Sequence, residues 1–205
     1  LKDEIERYQA THNTTSTFSK PVLALLPGSR PQELKKKLPL MLAAAAQFQE
    51  SHQIAVACAA TISLDVYQTY CKGYDVHLST GHTYDLLSIA DLALVTSGTA
   101  TLETALFEVP QVVCYKGSAV SIWLAKKLVK IQYISLVNLI MDREVVKELI
   151  QKECNPASIR EELNRLVIGG AKRKQMLEEY KTMKQILGGG GASKKIAQSV
   201  LKTNV

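Results

Sequence analysis

Leu92-Ala93-Leu94-Val95-Thr96-Ser97-Gly98-Thr99-Ala100-Thr101-Leu102-Glu103 is the stretch on which the fold turns. Its first four residues form an unbroken apolar run, as a strand buried on both faces requires. Small hydroxylic residues around one glycine then lead into a helix over residues 99–107. The same unit recurs on either side. Pro21-Val22-Leu23-Ala24-Leu25-Leu26 is an apolar run stopped by Pro27-Gly28. Leu38, Leu42, Ala45, Ala46 and Gln49 follow it at helical spacing, with Pro39 placed near that helix's start. Residues 54–59 read as a strand, 64–70 as a helix, 76–78 as a short strand, 83–90 as a helix and 111–115 as a strand. Strand–helix units of this size imply an α/β fold, a Rossmann-like parallel sheet with helices on both faces. No internal sequence repeat accompanies them. Beyond about residue 119 the pattern turns helical, with candidates at 119–130, 143–152, 156–167, 171–187 and 192–202. Gly188-Gly189-Gly190-Gly191 is a flexible joint, and the polar, Thr-rich residues 9–19 read as a linker.

Composition narrows the function classes. At 205 residues and 46% hydrophobic content the chain can build one sizeable core. No apolar run reaches the roughly 20 residues that span a bilayer. The start, Leu1-Lys2-Asp3-Glu4, has no signal-peptide pattern, and its lack of a methionine fits a fragment or processed product. A net charge of +6 suits anionic ligands. Nucleic acid is the weakest of these, because aromatics are only 6% and none interleaves with a basic run. Lys35-Lys36-Lys37 and Lys172-Arg173-Lys174 read as solvated helix faces. The cysteines (Cys58, Cys71, Cys114, Cys154) have no C-x-x-C spacing and read as buried, inert thiols of a reducing cytosol. His12, His52, His77 and His82 show no metal-ligand spacing.

In open parallel sheets the ligand lies beyond the carboxyl ends of the strands. Two loops there carry chemistry. In Pro27-Gly28-Ser29-Arg30, Gly28 allows close backbone approach, Ser29 offers a hydroxyl, and Arg30 can hold a phosphate with two parallel hydrogen bonds. An ordinary turn with a solvated arginine reads equally well from these residues. In residues 96–103, a helix N-terminus presents free N–H groups to an anion, although Ser97 and Thr99 can also simply cap that helix. Glu103, about one turn inside, can reach past a phosphate towards a ribose diol. It also sits three residues after Ala100, as a capping-box glutamate would.

These motifs resemble those of the lipid-A-disaccharide synthase family, in its C-terminal domain. Leu25-Leu26-Pro27-Gly28-Ser29-Arg30 with Glu33 and Leu38-Pro39 resembles a first signature, and residues 97–103 a second. The third is the most distinctive. It comprises Trp123-Leu124-Ala125-Lys126-Lys127-Leu128-Val129-Lys130, Tyr133-Ile134-Ser135-Leu136-Val137-Asn138-Leu139-Ile140 and Arg143-Glu144-Val145-Val146-Lys147-Glu148-Leu149. The resemblance covers roughly residues 20–205. Val137 stands where the family usually has proline, which loosens the turn expected before Asn138. A related UDP-sugar enzyme of the same fold, an epimerase or a peptidoglycan transferase, would share the first two motifs but not the third. A non-catalytic UDP-binding module is a further alternative.

The resemblance implies one half of a two-lobed (GT-B) glycosyltransferase. Such an enzyme moves 2,3-diacylglucosamine from UDP to 2,3-diacylglucosamine 1-phosphate with inversion, forming the β-1,6 lipid A disaccharide and releasing UDP. It implies no metal and no cofactor, so protein donors must stabilise the leaving group. Arg30 would bind the diphosphate with Gly28, Ser29 and the amides of Ser97, Gly98, Thr99, Ala100 and Thr101, while Glu103 would hold the ribose. Gly81 and His82, in the loop Thr80-Gly81-His82-Thr83, would frame uracil. Asn138 would contact donor sugar or phosphate, or else satisfy backbone groups in a turn. No catalytic residue is expected here, because the general base and most of the acceptor site belong to a missing N-terminal half. The expected division is a linker over 1–19, a nucleotide-sugar-binding domain over 20–187, and a Gly-rich joint with a terminal helix over 188–205. That helix can swap between two copies to make a homodimer, or pack on the missing half. Residues 119–130 read either as a core-facing helix or as a basic amphipathic one on an anionic membrane. The expected location is the cytoplasm, peripheral at the inner face of the inner membrane.

Overall fold

In the computed structural model, the described residues are 1–12, 14–81, 83–117, 132–167 and 169–188. The helix candidates at 119–130 and 192–202, His82, and most of the four-glycine joint lie outside them.

A six-stranded sheet forms the centre. Its strands are β1 (Val22–Leu26), β2 (Gln53–Ala57), β3 (His77–Ser79), β4 (Ala90–Thr96), β5 (Gln111–Tyr115) and β6 (Lys147–Ile150). All pairs are parallel, in the order β3-β2-β1-β4-β5-β6. The chain runs outward from β1 to β3, then crosses back to lay β4 on the other side of β1. Strand order therefore reverses between β1 and β4, and a crevice opens at such a point. Leu26 at the end of β1 pairs with Val95, so the loops after the two strands leave the sheet level with each other. Val22, Leu23, Ala24 and Leu25 are fully buried, as are Leu92, Ala93, Leu94 and Val95. That burial is why neither strand shows polar alternation.

The helices are α1 (Lys2–Thr11), α2 (Pro31–Ala45), α3 (Leu64–Cys71), α4 (Thr83–Ile89), α5 (Thr99–Leu106), α6 (Leu136–Met141), α7 (Pro156–Leu166) and α8 (Ala171–Ile186). Helix α2 begins at Pro31, so Pro39 sits mid-helix rather than near the start. Its side chain is exposed, and the N–H it lacks leaves the Lys35 carbonyl without its usual in-helix donor.

Three expectations change. Residues 143–152 are not a helix; they contain edge strand β6. Val145, Val146 and Leu149 are buried at spacings that mimic a helix, and the alternation that would betray a strand is hidden because Glu148 also points inward. Residues 2–11, the start of the expected linker, form α1. This helix buries Ile5, and sets the Tyr8 ring edge-on against Tyr84 and Phe107. Tyr8 also donates its hydroxyl to Asp85, and Lys2 Nζ donates to the carbonyls of Lys184 (3.0 Å) and Gly188 near the end of α8. Two large apolar side chains in ten residues, Ile5 and Tyr8, are too few to announce such a helix. Finally, two members of the basic runs are not solvated. Lys37 is 2% exposed, and Arg173 reaches Asp91 on β4, 2.8 Å from Oδ1.

Candidate functional site

The crevice between β1 and β4 is a cleft of 440 Å³. One wall is the turn from Leu26 to Arg30 with Glu33 behind it, and the other is Thr96 to Ala100 with Glu103. Ala57 at the end of β2, Ala59 just beyond it, and Thr83 at the start of α4 complete the lining.

Each wall turns on a glycine with a left-handed backbone. Gly28 has φ +108°, and a methyl group there would run into the Glu33 carboxylate. Gly98 has φ +126° with open space around it, so conformation alone demands glycine there. Arg30 follows the first turn, exposed, and its backbone oxygen accepts from Glu33 N and Leu34 N, both at 3.0 Å, to start α2. Its guanidinium makes no ion pair among the described residues. Thr61 Oγ1 holds the Ser29 carbonyl at 3.0 Å, and Ala59 N donates to the Tyr67 hydroxyl at 2.9 Å. The loops around the cleft are thus anchored to their neighbours.

On the second wall the N-cap of α5 is Gly98, with no side-chain cap bond. Neither Ser97 nor Thr99 caps the helix, and Glu103 lies beyond the capping-box position. The amides of Thr99 and Ala100 keep the unpaired state of a helix start, next to the cleft. Thr101 differs: it is buried, and both its N–H (3.2 Å) and its hydroxyl (2.8 Å) go to the Gly98 carbonyl. Glu103 is half-buried at the rim. Burial raises its carboxyl above the usual carboxylate range against the opposing pull of the Tyr84 hydroxyl, and Tyr84 is itself pushed up to about 12, chiefly by burial and then by the charge of Glu103.

Gly28, Ser29, Arg30, Ser97, Gly98, Thr99, Ala100 and Glu103 thus meet around one cleft, with Thr101 beneath it. Gly81 does not line it, although its neighbour Thr83 does. Asn138 is elsewhere, fully buried on the inner side of α6. Its Nδ2 donates to Val146 O and Glu148 Oε1, both at 2.9 Å, and its Oδ1 accepts from Val145 N (2.8 Å) and Val146 N (2.9 Å). Glu148 also accepts from Ile134 N (2.9 Å), Ser135 N (2.9 Å) and Ser135 Oγ (2.7 Å). Of the two readings of Asn138, the geometry favours backbone satisfaction, because every polar atom of its side chain is engaged. Val137 does not loosen this segment; it is buried in the core, and Ser135 caps α6 by accepting from Asn138 N at 3.3 Å.

Sequence reasoning missed Lys37, Thr96 and the packing role of Glu33. Lys37 Nζ donates to Thr96 Oγ1, lies 3.7 Å from Glu33 Oε1, and sits 5.8 Å from the centre of the Tyr115 ring. Burial lowers its pKa, and Glu33 pulls it part of the way back. The available signal was the i,i+4 Glu33–Lys37 spacing on the apolar side of α2, masked by two flanking lysines. Among the described residues, no three His, Cys, Asp or Glu side chains gather as a metal site. All four cysteines are free; Cys71, Cys114 and Cys154 are buried, and burial pushes Cys58 up to about 11.

The family model for lipid-A-disaccharide synthetase matches residues 1–201. The chain is 38% identical to the Myxococcus xanthus lipid-A-disaccharide synthase over 187 residues, covering 89% of this chain and 49% of that protein. It is 34% identical to the Trichlorobacter lovleyi lipid-A-disaccharide synthase over 202 residues, 96% of this chain and 53% of that one. The chain therefore spans about half the length of the curated relatives it matches. Among solved structures, S. aureus MnaA with UDP aligns at TM-score 0.64 and 14% identity, over 96% of this chain and 51% of that one. The forosaminyltransferase SpnP aligns at TM-score 0.60 and 14% identity, over 92% and 44%. At such identities these two speak for the α/β fold alone. The sequence matches go further, and the chain belongs to the lipid-A-disaccharide synthase family.

Proposed function

We propose that this chain is the donor-binding half of a lipid-A-disaccharide synthase and that its cleft holds UDP-2,3-diacylglucosamine by the UDP end. The observation that carries the reading is the convergence of two glycine-turned loops at the strand-order reversal. One brings Arg30, which has no ion-pair partner among the described residues, and the other brings an uncapped helix start. Diphosphate charge then sits between a guanidinium and the positive end of α5, and Glu103, one helical turn further on, takes the ribose hydroxyls. A solved neighbour that holds UDP in a related fold supports the choice of nucleotide.

In the reaction, the 6-hydroxyl of 2,3-diacylglucosamine 1-phosphate displaces UDP in one inverting step. Negative charge grows on the departing diphosphate, and Arg30 with the amides of Thr99 and Ala100 stabilises it without prior rearrangement. The base that takes the hydroxyl proton, and most of the acceptor site, belong to a further half of the enzyme. The acylated substrates place the whole enzyme at a membrane surface, on the cytoplasmic side; no described helix is long and apolar enough to cross a membrane. Titration calorimetry of the purified chain against UDP, ADP and GDP tests the reading. UDP is expected to bind and the purine diphosphates much more weakly; equal affinity for all three, or none for any, overturns the uridine assignment.

A further inference from the structure

We propose that Lys37 is a positioning residue of the cleft, clamping its two phosphate-side loops together and turning the Thr96 hydroxyl towards the diphosphate. The inference rests on the reading of the cleft as a UDP site. An ammonium that is 2% exposed is a costly thing to bury, and a methionine would fill similar space without that cost. What the charge gains is its set of partners. Glu33, 3.7 Å away on the same helix, backs the Gly28 turn of one wall. Thr96, which accepts the hydrogen bond from Lys37, ends β4 and lines the other wall. One side chain therefore joins both walls from beneath.

The hydrogen-bond inventory sharpens the role. An ammonium donates only, whereas a hydroxyl can donate or accept. Lys37 thus fixes Thr96 Oγ1 as an acceptor on its buried side and leaves the hydroxyl proton for the cleft side, where it can be donated to a phosphate oxygen. Lys37 also supplies a positive charge with a single half-exposed carboxylate as its acidic partner among the described residues. A diphosphate above Thr96 completes the countercharge, and a monophosphate, held nearer the ribose, does so less well.

The test is calorimetry of UDP and UMP with the wild-type chain and with Lys37→Met, Thr96→Val, Thr96→Ser and Arg30→Ala. Lys37→Met and Thr96→Val are each expected to weaken UDP binding about tenfold, the scale of one hydrogen bond to a charged group, while UMP binding changes less than about twofold. Thr96→Ser keeps the hydroxyl and is expected to retain UDP affinity. Unchanged UDP affinity in both Lys37→Met and Thr96→Val, with Arg30→Ala impaired, overturns the role of Lys37 and leaves the UDP site standing. An equal fall for UDP and UMP marks a merely structural residue and overturns it too. If Lys37→Met fails to fold, the Thr96 pair decides: Ser as poor as Val overturns the proposal. A wild-type chain that binds neither nucleotide removes the UDP reading itself.

Discussion

Arg173 and Asp91 form a three-point contact across the rear of the sheet: Nη2 meets Oδ1 at 2.8 Å, and Nη1 meets the Asp91 carbonyl at 3.1 Å and Oδ2 at 3.3 Å. His52 Nε2 lies 3.6 Å from the same Oδ2. Helix α8 is thereby fixed to the end of β4 opposite the cleft. Burial alone would raise the Asp91 carboxyl, but the His52 contact and the Arg173 charge outweigh it and hold the group below its ordinary 3.8. A depressed carboxylate contributes stability above its unfolded pKa and loses it as pH falls through the folded one. Arg173→Met is therefore expected to cost about 2 kcal/mol at pH 7, the scale of a partly buried pair. Urea melts at pH 7 and near pH 3 should show the penalty shrinking in acid; the same penalty at both would remove Asp91 as the cause.

Glu103 runs the opposite way. Its raised carboxyl means that stability is fully present below the ordinary 4.5 and is lost as pH rises through the folded value. Glu103→Gln should then stabilise the unliganded chain at pH 7 and leave it unchanged at pH 4, read by thermal melts. In the same protein UDP affinity should fall, and 2′-deoxy-UDP should register the substitution far less than UDP does.

Substituting Asn138 separates its two readings. Asn138→Ala strands Val145 N, Val146 N and a lone pair of Glu148, so it should cost about 3 kcal/mol of stability. Where the variant remains folded, its UDP affinity should match the wild type. A stable variant with weakened binding would return Asn138 to the ligand.

The two glycine turns should fail differently. Gly98→Ala meets no neighbour and suffers only its φ of +126°, about 1–2 kcal/mol. Gly28→Ala adds a collision with Glu33, which can yield only by moving. Melts and UDP titration should rank Gly28→Ala as the more damaging in both respects.

The legible parts of this fold were those in which side-chain chemistry and burial agree. Strand β1 and the Leu92–Val95 run of β4 are apolar because both faces are covered, and their loops announce themselves through Gly28, Arg30, Gly98 and Glu103. The illegible parts are those in which a polar residue takes an inward position. Glu148 disguised β6, Lys37 disappeared into a run of surface lysines, and Asn138 stayed open between two readings because asparagine in a turn and asparagine at a ligand read alike. Helix α1 escaped notice because its packing rests on Ile5 and Tyr8.

The pairing of Leu26 with Val95 has a consequence for how this family can tolerate insertions and deletions. Those two residues act as a gauge that sets both cleft loops at one height. Length changes beyond β2 or β6 leave the gauge untouched. A single residue added between Leu92 and Thr96 would lift one wall by about 3.3 Å relative to the other, a full residue's rise along a strand, and the shared grip on a diphosphate would be lost.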